Sequence, residues 1–320
     1  MAAALFASCS RPDTKEYAPV QVADLASFFG EYERLDSDSV ARFKAAHAPE
    51  ITALLKAASY SDTATLALAP RWAKAPAVSF FTHSADSAFE SLDTMRMQLG
   101  HILGASADNG LELPPRRYAA VVYGRSEAIL FVDSVMLVAL NHFLGPEYEA
   151  YSIWPVYRRN EKAPQNMPYY MAEALIVNSY PYTAEGADAT LLSHFLYHGA
   201  LTYAKIQTVP DARENLALGY NEADFQWIDD NSEQLWRDMV AAGLLYDTSE
   251  SMASRFTSPS PAVRELANIY PGRIGRYIGY RLVKEYVRNH NEVTLTHLLS
   301  PDFYCGETAE VLKTATKAFK

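Results

Sequence analysis

Residues 118–140, YAAVVYGRSEAILFVDSVMLVAL, decide the fold class of this chain. Three short runs, at 118–123, 128–132 and 135–140, are rich in β-branched, aromatic and other apolar residues. Turn-forming residues separate them, a pattern that indicates β-strands. Strands joined by such short turns usually pair antiparallel. The stretch therefore predicts a small, mainly antiparallel sheet.

Helical patterns dominate on both sides of this stretch. Apolar residues recur at spacings of three and four within residues 86–103, which is the period of an α-helix. No internal repeat or low-complexity linker interrupts the chain. We therefore expect an α+β fold that is mostly helical, with residues 21–320 forming a single domain. The segments predicted as helices are 22–32, 39–58, 86–103, 169–179, 187–207, 221–245 and 273–289.

The composition excludes two classes of protein. The 320 residues include 28 Lys and Arg against 38 Asp and Glu, giving a formal net charge of −10. Phosphate backbones bind clustered positive charge, so we expect no nucleic-acid partner. No apolar run reaches the length of about 18 residues that a membrane-spanning helix needs. The 21 tyrosines indicate helix faces that are apolar at the base and polar at the tip.

The N-terminal residues resemble the end of a lipoprotein signal peptide. LFASC at residues 5–9 places small residues before Cys9, which would carry the lipid. If Cys9 is lipidated, only Cys305 remains, and a single cysteine forms no internal disulfide. The residues that follow Cys9 are polar and contain prolines. We therefore expect residues 1–20 to be a signal remnant and tether, with Cys9 as the lipidation site.

HFLYH at residues 194–198 suggests a metal site. Two histidines four residues apart share one face of a helix and can reach one ion, as in the H-E-x-x-H zinc motif. Phe195 stands where that motif has its general base, and it cannot take a proton from zinc-bound water. Glu222 is the preferred third ligand, with Glu214 and Asp224 as alternatives. Two ordinary histidines on a packed helix face are the simpler interpretation.

The segment PGRIGRYIGY at residues 271–280 is the most distinctive in the chain. Gly272, Gly275 and Gly279 fall on one helix face, and each glycine inside a helix costs about 1 kcal/mol relative to alanine. Close approach of another helix would offset that loss. Arg273 and Arg276 at the helix start would need carboxylates or a bound anion nearby. The segment, with Tyr277, predicts tight helix packing or a binding groove for a peptide or an anionic ligand.

Together these segments resemble the gliding-motility lipoprotein GldB family. The resemblance covers roughly residues 117–299, and the lipoprotein-like start agrees with it. The order and spacing of several short motifs carry the resemblance. They are LGYNE at 218–222, QW at 226–227, EQLW at 233–236, GLLY at 243–246, RF at 255–256 and PGRIGRYIGY at 271–280.

The resemblance implies a cell-envelope lipoprotein of Gram-negative bacteria that glide, or of their relatives, linked to motility and to secretion of surface proteins. It also implies a distant relation to zinc metallopeptidases, and hence a degenerate zincin-like (peptidase MA-like) fold. In that relation His194 and His198 occupy the motif positions and Phe195 replaces the base.

We therefore expect a non-enzymatic, lipid-anchored envelope protein that faces the periplasm and acts through the partners of a motility or secretion complex, with no required cofactor. Two alternatives stay open. One is a zinc-dependent hydrolase that uses His194, His198 and Glu222. The other is a periplasmic protein that binds a peptide or glycan along the tyrosine-rich face and the glycine helix.

Overall fold

The computed structural model describes residues 15–58 and 65–320, so the predicted lipidation site Cys9 lies outside the described residues. Across those two ranges, no helix combines the length and the apolar character that crossing a bilayer demands. The strands are β1 (Ala23–Asp24), β2 (Arg117–Val121), β3 (Ile129–Val132) and β4 (Val135–Ala139). The helices up to the sheet are α1 (Leu25–Gly30), α2 (Ser37–Ala46), α3 (Ala48–Ala57), α4 (Ala69–Ala73), α5 (Pro76–Ala88) and α6 (Asp93–Asp108).

The helices that follow the sheet build the rest of the molecule. They are α7 (Val156–Asn160), α8 (Met167–Ser179), α9 (Leu191–Thr208), α10 (Glu214–Leu218), α11 (Glu222–Asp230), α12 (Ser232–Ala242), α13 (Glu250–Thr257), α14 (Ile274–Asn289), α15 (Leu295–Leu298), α16 (Pro301–Tyr304) and α17 (Thr308–Ala318). The predicted α+β class, mostly helical with a small sheet, is confirmed.

The expectation that the sheet is mainly antiparallel is wrong. Its strand order is β1-β2-β4-β3, and β2 pairs in parallel with both β1 and β4. Only β3 and β4 form the predicted antiparallel hairpin, with Val132 opposite Val135. Strand β4 inserts between β2 and β3, and all five of its residues are buried. A continuous apolar run of this kind is typical of a parallel strand that is covered on both faces.

Helices cover both faces of the sheet. Successive residues of β2 point to opposite sides, so Ala119 and Val121 belong to one apolar core and Tyr118 and Ala120 to another. Helices α1, α3, α4 and α5 supply the first core, whereas α6 and α8 supply the second. The buried side chains of those two helices that pack there are Met95, Leu99, Ile102, Met167, Tyr169, Met171, Ala172 and Leu175.

Four of the predicted helices differ clearly from the structure. The predicted helix 22–32 contains strand β1 at its start, and its α-helical part is only α1. The predicted helix 39–58 is two helices that divide at His47, with Pro49 near the start of the second. The predicted helix 86–103 starts only at Asp93, and α5 before it was not predicted. The predicted helix 221–245 breaks at Asn231, whose side-chain amide donates to the carbonyl of Trp227 at 2.7 Å. Such side-chain bonds compete with the helical pattern and end helices.

The N-terminal strap, residues 15–22, lies along α6. The Tyr17 hydroxyl donates to Asp108 at 2.6 Å, and its ring covers Gly104 so closely that an added Cβ there would lie 2.0 Å from the ring. The described part of the predicted tether, residues 15–20, therefore packs against the folded body and leads directly into β1.

Candidate functional site

A third apolar cluster, the C-terminal core, contains Phe195, Leu282 and Phe303 among its buried residues. Helices α9 and α14 cross there in backbone contact. A Cβ built on Gly279 would lie 1.7 Å from the carbonyl oxygen of Phe195, and one on Gly199 would lie 2.2 Å from the carbonyl carbon of Gly279. A Cβ on Gly275 would lie 2.4 Å from the Phe195 ring. Gly275 and Gly279 of the predicted glycine face therefore form the packing surface of α14, and they bring Arg276 beside α8 and α9. The prediction is wrong for Gly272, which precedes α14 and lies against the backbone of Ser260.

The structure does not gather the predicted metal ligands. The His194 ring stacks on Tyr182 with centroids 4.1 Å apart, and Glu222 is exposed in the first turn of α11. Of the two alternatives, Glu214 pairs with Lys284. Asp224 lies in the first turn of α11, where its backbone N–H donates to the Asn221 cap and its carboxylate accepts from the Asn221 amide. Over residues 15–58 and 65–320, no group of three His, Cys, Asp or Glu side chains could hold a metal ion.

His198 points into a cluster of charges instead. Burial, together with the positive charge of Arg276, holds the pKa of His198 well below its usual range, so the imidazole is neutral near pH 7. Its Nδ1 atom is buried and has no hydrogen-bond partner among the described residues. The residue therefore belongs to a polar region inside the protein.

The three-helix ion cluster consists of Glu173 on α8, Lys205 on α9 and Arg276 on α14. Lys205 Nζ lies 2.5 Å from Glu173 Oε2, and Arg276 Nη1 lies 2.9 Å from Glu173 Oε1. Although burial opposes ionisation, the charges of Arg276 and Lys205 hold the pKa of the Glu173 carboxyl well below its usual range. The cluster ties three helices together at the point where α9 and α14 cross.

A large cavity of about 670 Å³ opens above this cluster. Four aromatic side chains contribute to its wall, and the three-helix ion cluster lies at its base. The aromatic lining residues are Trp154, Tyr157, Tyr169 and Tyr170. A small cavity of about 310 Å³ adjoins it, and both are lined by Glu161, Gly219 and Arg273. The two cavities therefore meet at the Arg273 side chain.

Arg273 is fixed in place by its backbone and by two partners. It has a left-handed conformation with φ of 66°, which is uncommon outside glycine, and it immediately precedes α14. Its guanidinium pairs with Glu161 through Nη2 and donates from Nη1 to the Gly219 carbonyl at 2.9 Å. A Cβ on Gly219 would lie 2.0 Å from Arg273 Nη1, so only glycine leaves room for this contact.

Lys162 and His142 form a second polar pair at the wall of the large cavity. Lys162 Nζ donates to His142 Nδ1 at 2.8 Å, while His142 Nε2 donates to the Arg125 carbonyl at 2.9 Å. Burial and the charge of Lys162 lower the pKa of His142 to about 4, and burial lowers the pKa of Lys162 to about 8. Neutral His142 thus accepts from a lysine that keeps most of its charge near pH 7.

The predicted groove residues separate into two groups. Gly272 and Arg273 line the small cavity, and Arg273 and Arg276 line the large one. The other three, Gly275, Tyr277 and Gly279, are buried in the contacts of α14.

Sequence reasoning missed the acidic and lysine members of the site. Glu173 and Lys205 each interrupt a long apolar helical stretch, and Glu161 and Lys162 precede α8. A lone charge in an otherwise apolar helix was the available signal, since charged side chains are rarely buried without a partner. The partner of each lies too far along the chain for local spacing to indicate it.

A comparison with protein families gives one match. The family model described as "Gliding motility protein GldB" matches residues 8–312 of this chain. No curated protein and no solved structure matches. The match extends beyond the resemblance at residues 117–299 and also covers strand β1 and the N-terminal helices.

Proposed function

This chain belongs to the GldB family of gliding-motility-associated lipoproteins, and from that premise we propose that it is a non-enzymatic envelope protein that acts by binding. Its lipid would be carried by Cys9, and its folded body would face the periplasm. Its partners would be proteins of a motility or secretion complex. The resemblance to a degenerate zinc peptidase stays a prediction about its ancestry.

The position of Phe195 carries the non-enzymatic part of the proposal. Phe195 is fully buried between α9 and α14, where its ring contacts Gly275 and lies 5.7 Å from the Phe256 ring. The residue after His194 therefore faces the helix crossing and contributes to packing. A general base at this position would be directed into the core, away from solvent and substrate. Helix α9 thus serves as a scaffold for the ion cluster and the large cavity.

Complementation in the source bacterium tests the proposal. The gene is deleted, then restored as the wild type, as Cys9→Ser or as His194→Gln, and surface spreading, secretion of surface proteins and envelope integrity are measured. We expect the deletion to impair at least one of these. Cys9→Ser should lose membrane retention and function, whereas His194→Gln should restore function because His194 only stacks on Tyr182.

Two results would overturn the proposal. A deletion that left all three readouts unchanged would remove the envelope role. Loss of function in His194→Gln at a normal protein level, together with one zinc per purified chain that disappears in His194→Gln, would establish a functional metal site and favour the zinc-dependent hydrolase instead. Elemental analysis after exposure to zinc supplies the second measurement.

A further inference from the structure

We propose that the large cavity binds a small organic anion, in which a single carboxylate or phosphate group is attached to an apolar or aromatic body. The inference rests on the charge, the open hydrogen-bond donors and the walls of the cavity. It is independent of the proposed function, because it concerns a ligand of the purified protein and requires no partner protein.

The large cavity is positively charged in an acidic protein. Five basic side chains line it against three acidic ones, so it carries an excess of two positive charges, whereas the whole chain has a net charge of −10. Positive groups that converge in a cleft with low-dielectric walls raise the local concentration of anions. The lining groups are Arg158, Lys162, Lys205, Arg273 and Arg276 on the basic side and Glu127, Glu161 and Glu173 on the acidic side.

The basic groups at the base of the cavity keep donors that no described residue uses. Lys205 has a side chain only 3% exposed, yet its ammonium makes a single hydrogen bond, to Glu173. Arg276 donates through Nε and Nη1 to Thr257 and Glu173, which leaves its Nη2 group available. The Nε atom of Arg273 is buried without a partner. Buried donors without acceptors are destabilising, and an anion at this position would satisfy them.

The aromatic and apolar side chains in the walls of the large cavity favour an anion that also has an apolar part. Trp154, Tyr157 and Tyr170 line the cavity together with Ala174 and Val177. Its volume lies in the range of small-molecule sites, which are mostly apolar with a few convergent polar groups. A bare inorganic ion would satisfy the donors and leave the aromatic walls unused. An aromatic carboxylate or phosphate uses both.

Binding to the full chain tests this inference directly. Phenyl phosphate and benzoate serve as probes in isothermal titration calorimetry, inorganic phosphate as a competitor, and phenol as the uncharged analogue. We expect saturable binding of at least one aromatic anion at one site per chain, competition by phosphate, and at least about tenfold weaker binding of phenol. A contact between charged groups is expected to contribute a difference of this size.

Three variants locate the site. Lys205→Met and Lys162→Met remove one charge each from the cavity and keep the aliphatic part of the side chain. Lys313→Met makes the same charge change on the exposed face of α17, where Lys313 pairs with Glu310. We expect about tenfold weaker binding in Lys205→Met and a smaller loss in Lys162→Met, with Lys313→Met unchanged. Lys162→Met keeps the test valid if Lys205→Met fails to fold, because Lys162 lies outside the three-helix ion cluster.

Several outcomes would overturn the assignment. They are absence of saturable binding by either anion at millimolar concentration, equal binding of phenol, or equal weakening in Lys313→Met. Binding of phosphatidylglycerol vesicles without binding of the two soluble anions would assign the cavity to a lipid surface instead. None of these results depends on motility or secretion, so failure here is separate from failure of the proposed function.

Discussion

Replacement of Gly279 by alanine would test whether the backbone contact between α9 and α14 holds the C-terminal core together. The new Cβ would lie 1.7 Å from the carbonyl oxygen of Phe195 and 2.4 Å from its carbonyl carbon. Ordinary contact begins near 3.4 Å, so the two helices must separate locally by about 1.5 Å or more. No rotamer change relieves this clash, because the carbonyl oxygen and carbonyl carbon of Phe195 both belong to the backbone.

The expected loss of stability follows from two opposing effects. Overpacking of a closely packed core costs about 3 kcal/mol at the upper end of its usual range. Alanine gains about 1 kcal/mol over glycine inside a helix. We therefore expect Gly279→Ala to lower the free energy of unfolding by about 2 kcal/mol. Separation of the helices would also move Arg276 away from Glu173 and so disturb the base of the large cavity.

Urea unfolding of the full chain, followed by far-ultraviolet circular dichroism, measures this change. Gly124→Ala is the matched control, because a Cβ there would lie 3.5 Å from Ala77, an ordinary contact. We expect the control to change stability by less than about 0.5 kcal/mol. If Gly279→Ala were as stable as the wild type, the helices would not be in backbone contact and the packing argument would fail.

Three further predictions concern the interior polar groups. Burial lowers the pKa of His142 from 6.5 to about 4 in the folded state, so the unfolded state alone gains a proton as the pH falls through that window. Stability should therefore drop by about 3 kcal/mol between pH 7 and pH 4, and urea titrations should show a weaker pH dependence in His142→Gln. Phe195→Glu places a carboxylate in the apolar helix crossing and should cost at least about 3 kcal/mol, with no gain of peptidase activity. If a fluorogenic peptide assay showed that activity, the scaffold role of α9 would be refuted. Glu173→Gln leaves Lys205 and Arg276 with a neutral partner and should cost about 2 kcal/mol in thermal or urea unfolding; unchanged stability would contradict the three-helix ion cluster.

Local patterns predicted three of the four strands, several of the long helices and part of one helix face, but not how distant elements meet. The glycine spacing of α14 indicated a close helix approach, because tight packing is what offsets the cost of several glycines on one helix face. The strand runs at 118–140 were also clear. The parallel pairing of β2 with β4 was missed because the short turns around β3 suggested consecutive pairing. The apolar residues on both faces of β4 indicated a buried parallel strand and so argued against consecutive pairing.

The candidate site depended on contacts that no local spacing contains. Glu173 and Lys205 are 32 residues apart, and Arg276 lies about twice as far beyond Lys205. Glu173 and Lys205 are each the single Asp, Glu, Lys or Arg of their helix, whereas Arg276 is one of several charges on α14. Only the packing of the three helices brings them together. His194 and His198 show the opposite case, where the correct helical spacing was present. Packing then directed one ring onto Tyr182 and the other into the ion cluster.

The N-terminal strap has a mechanical consequence if the chain is held at Cys9 as proposed. A pulling force would enter the folded body through residues 15–22 and would load their contacts with α6 one after another. Contacts broken in succession yield at lower force than contacts loaded together. Eight residues released from α6 would span at most about 28 Å, at roughly 3.5 Å per residue. The strap would thus lengthen under tension before the β1–β2 hydrogen bonds and the body of the protein carry the load.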